Sequence, residues 1–205
     1  MSERSPIKLF LSISAALIFG TLGWWTFSAL GHWWNDEPPI SDEIVSGPWI
    51  EFAVPNSVVR IDLPFTPTTA DVARDPRTLS ITKAIVFARR FTSANDALQI
   101  QLLQAKYRPD AKVSIPNAIN GMLTAVSVGS GNQVTKTIEP GQLGPFDGQF
   151  VNARIVRKNG RPLSAQAFVF VVNHQIIRLL ATFVEDDANG PRVWQRVVNS
   201  LRSGK

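Results

Sequence analysis

Two patterns of polar and apolar positions divide the chain. From Leu9 to Asn35 the run "LFLSISAALIFGTLGWWTFSALGHWWN" carries no formal charge, and only hydroxyls, His32 and Asn35 interrupt it. About 20 such residues at 1.5 Å rise cross a hydrocarbon core. Residues 9–34 are therefore predicted to be a single transmembrane helix. From residue 49 onward, short alternating runs take over. "WIEFAVP" puts Ile50, Phe52 and Val54 on one side of a strand, and "VVRIDLP" alternates Val59, Ile61 and Leu63 with Arg60 and Asp62. Joined through Pro55-Asn56-Ser57, they predict a hairpin. "LSITKAIVFARRF" and "DALQIQLLQAKY" predict a second antiparallel pair around the turn Ser93–Asp96, after a loop broken by Pro67 and Pro76.

The period then lengthens. Ile115, Ile119, Met122, Leu123 and Val126 fall on one face of a helix. Ser114 suits its cap, Pro116 its first turn and Gly129 its end. Four more strands follow. They are "QVTKTIE", then "GQFVNARIVRK" after a Gly/Pro loop, then "LSAQAFVFVV" and "QIIRLLATFV". Asn159-Gly160 and Asn173-His174 are the tight-turn signals among them. Trp194, Val197, Val198 and Leu201 mark a closing helix. The order ββββ-α-ββββ-α, without strand–helix alternation, predicts an α+β domain: an antiparallel sheet with helices packed on it. The expected organisation is a cytoplasmic N-terminus (1–8), the membrane helix (9–34), a linker (35–48) and an extracytoplasmic domain (49–205). The linker "NDEPPISDEIVSGP" is acidic, proline-rich and without apolar period.

Charge orients this arrangement. Arg4 and Lys8 precede the apolar run, and Asp36, Glu37, Asp42 and Glu43 follow it. The basic side stays in the cytoplasm, so the chain runs N-in with its C-terminal domain periplasmic or extracytoplasmic, anchored in the cytoplasmic (inner) membrane. Ser12, Ala16 and Gly20 recur every four residues, a smooth stripe for helix packing in the membrane. Trp33 and Trp34 fall about 6 Å beyond the expected boundary near Ala29, in the interfacial belt. Trp24 and Trp25 fall inside, where indole N–H groups want a partner, and join the candidate packing positions. A signal peptide cut near Ala29-Leu30-Gly31 is the competing arrangement, and it would release a secreted ligand-binding domain.

Composition removes several chemistries. The 205 residues contain no cysteine, so disulfides, thiol nucleophiles and cysteine-ligated metals are excluded. The net charge of +5 has both signs mixed along the chain and no long Lys/Arg run, which argues against nucleic acid as a partner. His32 and His174 are the two histidines, and neither has neighbours able to complete a metal site. Ser80 and Lys83 match Ser-x-x-Lys but fall on a predicted strand, where they face opposite sides. "GSGN" (129–132) and "GQLGPFDG" (141–148) lead into strands rather than helices, so they are turns and not phosphate cradles. Glu185, Asp186 and Asp187 suit a solvated junction ahead of a helix. No catalytic, cofactor-binding or metal-ligating residue is assigned, and no cofactor is expected. Arg154, Arg157, Lys158 and Arg161 cluster about the Asn159-Gly160 turn and form the candidate contact surface for a partner or anionic lipid.

"FAVPNSVVRIDLP" (52–64) resembles the opening hairpin of PsbP/Mog1-like domains, in which an aromatic residue, a proline and a strand ending in Leu-Pro recur. "VVNSLR" (197–202) is similar to their closing helix, with Leu201 in place of the usual aromatic residue. The resemblance spans residues 49–202. It implies a central antiparallel sheet flanked by helices, used as a non-enzymatic binding or assembly module, and it assigns no functional residue. The expected function is that of a single-pass accessory, scaffold or assembly subunit of a membrane or envelope complex, partnered by a membrane protein. An envelope hydrolase with a site assembled from distant residues is the alternative.

Overall fold

A computed structural model describes residues 37–72, 84–128, 132–158 and 160–204. The expected membrane helix, with Ser12, Ala16, Gly20, Trp24, Trp25, Trp33 and Trp34, lies outside the described residues. Among the described residues no helix is long and apolar enough to cross a membrane. Within them the chain forms α1 (Asp42–Ser46), β1 (Ile50–Ala53), β2 (Val59–Leu63), β3 (Thr68–Asp71), β4 (Ile85–Ala94) and β5 (Leu98–Tyr107). Then follow α2 (Ile115–Val128), β6 (Gln133–Leu143), β7 (Phe146–Val156), β8 (Leu163–Val172), β9 (Gln175–Val184), α3 (Gly190–Ser200) and β10 (Arg202–Ser203).

The strands make two antiparallel sheets, one of seven strands in the order β3-β4-β5-β9-β8-β7-β6 and one of three in the order β1-β2-β10. The large sheet is the middle layer. One face buries Leu103, Ala105, Val151, Ala167, Val169 and Leu180 together with Ile119, Met122 and Leu123 of α2. The opposite face buries Ile100, Leu102, Phe168, Phe170 and Leu179 against Val193 and Val197 of α3 and Ile61 of the small sheet. Every residue of β9 is buried, because this strand is central and covered on both faces. That explains why "QIIRLLATFV" reads as a nearly continuous apolar run.

The expected α+β class and both helices are present, but several boundaries differ. Residues 42–46 of the expected linker form a helical turn. Residues 68–71, expected as loop, form the edge strand β3, whose Thr-Thr-Ala-Asp sequence has no apolar alternation because three of its four residues are exposed. The expected loop around Pro140 is instead paired strand, with Pro140 opposite Gln149, and the turn shrinks to Gly144-Pro145. Proline is tolerated because β6 is an edge and needs ladder bonds on one side only. Gly144 supplies the positive φ of +55° that this turn requires. At Gly148 the carbonyl oxygen of Val169 would lie 2.5 Å from an added Cβ, so close strand packing demands glycine there. Val86 is expelled by a bulge between Ile85 and Phe87.

The predicted turn at Asn173-His174 is present, while the one expected over Ser93–Asp96 is narrower, because Ser93 and Ala94 belong to β4. Asn173 and His174 both take positive φ (50° and 57°), as a two-residue hairpin requires. Asn95 Oδ1 accepts from the amides of Ala97 and Leu98, at 3.0 and 2.9 Å. The Ser114 hydroxyl accepts from Asn117 N–H at 3.4 Å at the start of α2. Two buried polar clamps join the layers. Gln104 Nε2 donates to Pro55 O (2.7 Å) and to Gln175 Oε1 (2.8 Å), and Gln175 Nε2 donates to Asn56 O (2.8 Å). Ser93 Oγ donates to Phe65 O at 2.9 Å and accepts from its N–H at 3.1 Å. These bonds give the buried side chains of Gln104, Gln175 and Ser93 partners in the connecting segments.

Candidate functional site

The basic cluster lies at the end of β7 and the start of the connection to β8. Acids from the end of β9 and the start of the domain take up three of its four charges. Arg154 Nε donates to both carboxylate oxygens of Glu185, at 2.6 and 2.9 Å. That contact pushes the Arg154 pKa up. Arg161 Nη2 donates to Asp186 Oδ1 at 2.5 Å. Arg157 Nη2 donates to Glu37 Oε1 at 3.2 Å, with the Glu37 side chain fully buried. Lys158 is exposed and has no ion pair among the described residues. Asn159 itself lies outside the described residues. The cations are near neighbours in the chain, but spacing could not reveal that Glu185 and Asp186 fold back beside them. The patch is thus close to neutral, a mixed-charge surface. Its exposed pairs are screened and add little stability.

The same acids anchor the segment that leads into the domain. Ile40 is buried, its N–H donates to Asp187 Oδ2 at 2.7 Å, and its carbonyl accepts from Asn189 Nδ2 at 2.8 Å. Arg196 of α3 donates to Val45 O (2.5 Å) and Gly47 O (2.8 Å) and stacks its guanidinium 4.3 Å from the Trp49 ring. Residues 37–49 are therefore docked on α3 rather than strung out as a linker. Composition hid this, because the hydrogen bonds from Arg196 and Asn189 go largely to backbone carbonyls and the apolar contacts of Ile40, Ile44, Val45 and Trp49 follow no regular period.

His174 is exposed at its hairpin tip. Its carbonyl accepts from Tyr107 N–H at 3.0 Å. No hydrogen bond joins its imidazole to a serine or carboxylate among the described residues. The hydrolase alternative thus loses its most accessible base. Ser80, Lys83 and residues 129–131 lie outside the described residues. Glycines 141, 144 and 148 sit in or beside the β6–β7 hairpin, as turn and packing positions.

One charged residue was not singled out in the sequence. Arg178 lies at the centre of β9 and is 2% exposed. Its Nε and both Nη atoms find no acceptor. Burial, and next the positive charge of Arg90, push its pKa down to about 10. The available signal was a lone cation inside a strand otherwise buried on both faces.

Fold and site together define a class of α+β domain, built on one large antiparallel sheet closed by a C-terminal helix and lacking an assembled catalytic constellation among the described residues. No protein-family model matches the sequence, and no curated protein matches it. Among solved structures, the solution structure of cyanobacterial PsbP from Synechocystis is similar. It has a TM-score of 0.52 at 11% identity, over 76% of this chain and 92% of that one. The crystal structure of LpqN, involved in cell envelope biogenesis of Mycobacterium tuberculosis, has a TM-score of 0.44 at 14% identity, over 83% of this chain and 100% of that one. The domain has the PsbP/Mog1-like fold, as the opening hairpin and closing helix implied.

Proposed function

We propose that this chain is a non-catalytic accessory, scaffold or assembly subunit of a membrane or envelope complex. In this reading, residues 9–34 anchor it as a single N-in helix, and the PsbP-like domain binds a membrane-protein partner from the periplasmic or extracytoplasmic side. The observation that carries it is the combination of an uncharged apolar run after Arg4 and Lys8 with a domain of PsbP-like fold. Docking of residues 37–49 on α3 supports it, since a domain held rigidly at its entry point suits a scaffold better than a freely swinging one.

Contact in the membrane would use Ser12, Ala16, Gly20, Trp24 and Trp25, with Trp33 and Trp34 at the interface. Contact outside it would use Lys158 with the exposed sides of Arg154, Arg157 and Arg161. The test is purification of the full chain in gentle detergent with identification of co-purifying proteins, alongside alkaline extraction of membranes. A specific membrane-protein partner, lost when Gly20→Leu roughens the helix stripe, is the expected result. Release of the chain by alkali, or purification with no partner, would overturn the proposal.

A further inference from the structure

Arg178 and Arg90 stand on one face of the large sheet. Arg90 on β4 opposes Leu103 on β5, and Leu103 opposes Arg178 on β9. Directly opposed residues point to the same face. Two strand spacings put the two arginine backbones about 10 Å apart, with Leu103 between them as an apolar floor. Both long side chains can converge above that floor on one small group.

Among the described residues neither arginine has a counter-charge. Arg178 is buried and all three of its guanidinium nitrogens lack an acceptor. Arg90 is partly buried, without an ion pair or side-chain hydrogen bond among the described residues, and its pKa is lowered by burial. The row continues from Ala70 on β3 through Arg90, Leu103, Arg178 and Val169 to Gln149 on β7. It contains no carboxylate. The flanking row Thr92–Gln101–Leu180–Ala167 contains none either, nor does Ala88–Ala105–Ile176–Val171. Gln101 is diagonal to both arginines, and its Oε1 is also buried without a donor. That amide could take one guanidinium hydrogen bond, but it carries no charge to offset two cations.

Arginine keeps its proton in proteins, so the site cannot relieve itself by neutralising at ordinary pH. A buried cation left without acceptors is costly to fold, and a second cation beside it adds repulsion. What both groups lack is an oxyanion, and the planar guanidinium fork matches the oxygens of phosphate or carboxylate two at a time. We propose that Arg178 and Arg90 form an oxyanion-binding site over Leu103 that takes a phosphate- or carboxylate-bearing ligand. Partly exposed Arg90 is the side open to solvent. The ligand enters past it, beside the small side chain of Ala70, and is held at depth by Arg178.

The test is calorimetric titration of the full chain in maltoside detergent with sodium phosphate and with sodium acetate, against chloride at matched ionic strength. At least one oxyanion is expected to bind saturably in the millimolar range or tighter. Affinity should fall at least tenfold in Arg178→Met and in Arg90→Met, and stay within twofold of wild type in Lys136→Met, an exposed position on β6 at the far edge of the sheet. Stronger phosphate binding assigns a phosphate ligand, and stronger acetate binding a carboxylate. If phosphate wins, competition of free phosphate with vesicles containing phosphatidic acid separates a free anion from a lipid headgroup. Arg90→Met changes a partly exposed position and keeps the test decisive even where the core variant is perturbed. Binding no better than chloride, or wild-type affinity in both arginine variants, would overturn the site.

Discussion

Replacing Arg178 by methionine should make this protein more stable, and the size of the gain follows from its surroundings. The guanidinium is buried on one face of the large sheet with no acceptor on any nitrogen. Its pKa is pushed down from the ordinary arginine range to about 10. At 1.36 kcal/mol per pH unit, holding the charged form there costs about 3 kcal/mol. Methionine keeps most of the aliphatic stem and flexes to fill the space, so the lost packing is small. In buffer free of phosphate and carboxylate, Arg178→Met should gain about 2–4 kcal/mol, in line with apolar replacement of other buried charges. Urea unfolding of the full chain in detergent, with the slope unchanged, measures it. The gap should also depend on pH. Because the folded pKa lies below the unfolded one, the unfolded chain holds more protons above pH 10, and wild-type stability rises there. The difference between wild type and variant should therefore shrink as pH passes through about 10. A variant less stable than wild type by more than about 1 kcal/mol would refute the reasoning, since it would mean the folded state supplies Arg178 with acceptors.

Three further outcomes follow from other contacts. Gln175→Leu strips the donor from Asn56 O and the acceptor from Gln104, and should cost about 1–3 kcal/mol in urea unfolding. Arg157→Ala leaves the buried Glu37 carboxylate alone and should cost about 3–5 kcal/mol, most of it recovered when Glu37→Leu is added. Glu51 has its pKa lowered by hydrogen bonds from Arg202 and Arg60. Its contribution is therefore present above the ordinary carboxylate range and lost as pH falls through the lowered value. The melting difference between wild type and Glu51→Gln should be small at neutral pH, because the cluster is exposed, and should vanish in acid.

Periodicity determined much of this protein. Alternation in "VVRIDLP" and the helical spacing of Ile119, Met122 and Leu123 each follow from one buried face repeating at a local period. The positive-φ turn at Asn173-His174 was legible from turn chemistry instead, and the opening and closing motifs from their resemblance to PsbP-like domains. Edges and junctions were not legible. β3 and the Pro140 stretch of β6 lie at sheet margins, where half the ladder bonds are absent and few side chains are buried, so the amino-acid pattern imposes little. The docked segment 37–49 is held by Arg196 and Asn189 donating to backbone carbonyls, which every sequence possesses. The clustering of Arg154, Arg157, Lys158 and Arg161 could be read from neighbours in the chain. Their pairing with Glu37, Glu185 and Asp186 could not, because those partners lie 25 to 120 residues away. Tertiary structure alone decided the state of Arg178. An arginine in an apolar strand is unremarkable until the register sets it beside Arg90 with no acid in the row, since charge compensation depends on which strands become neighbours.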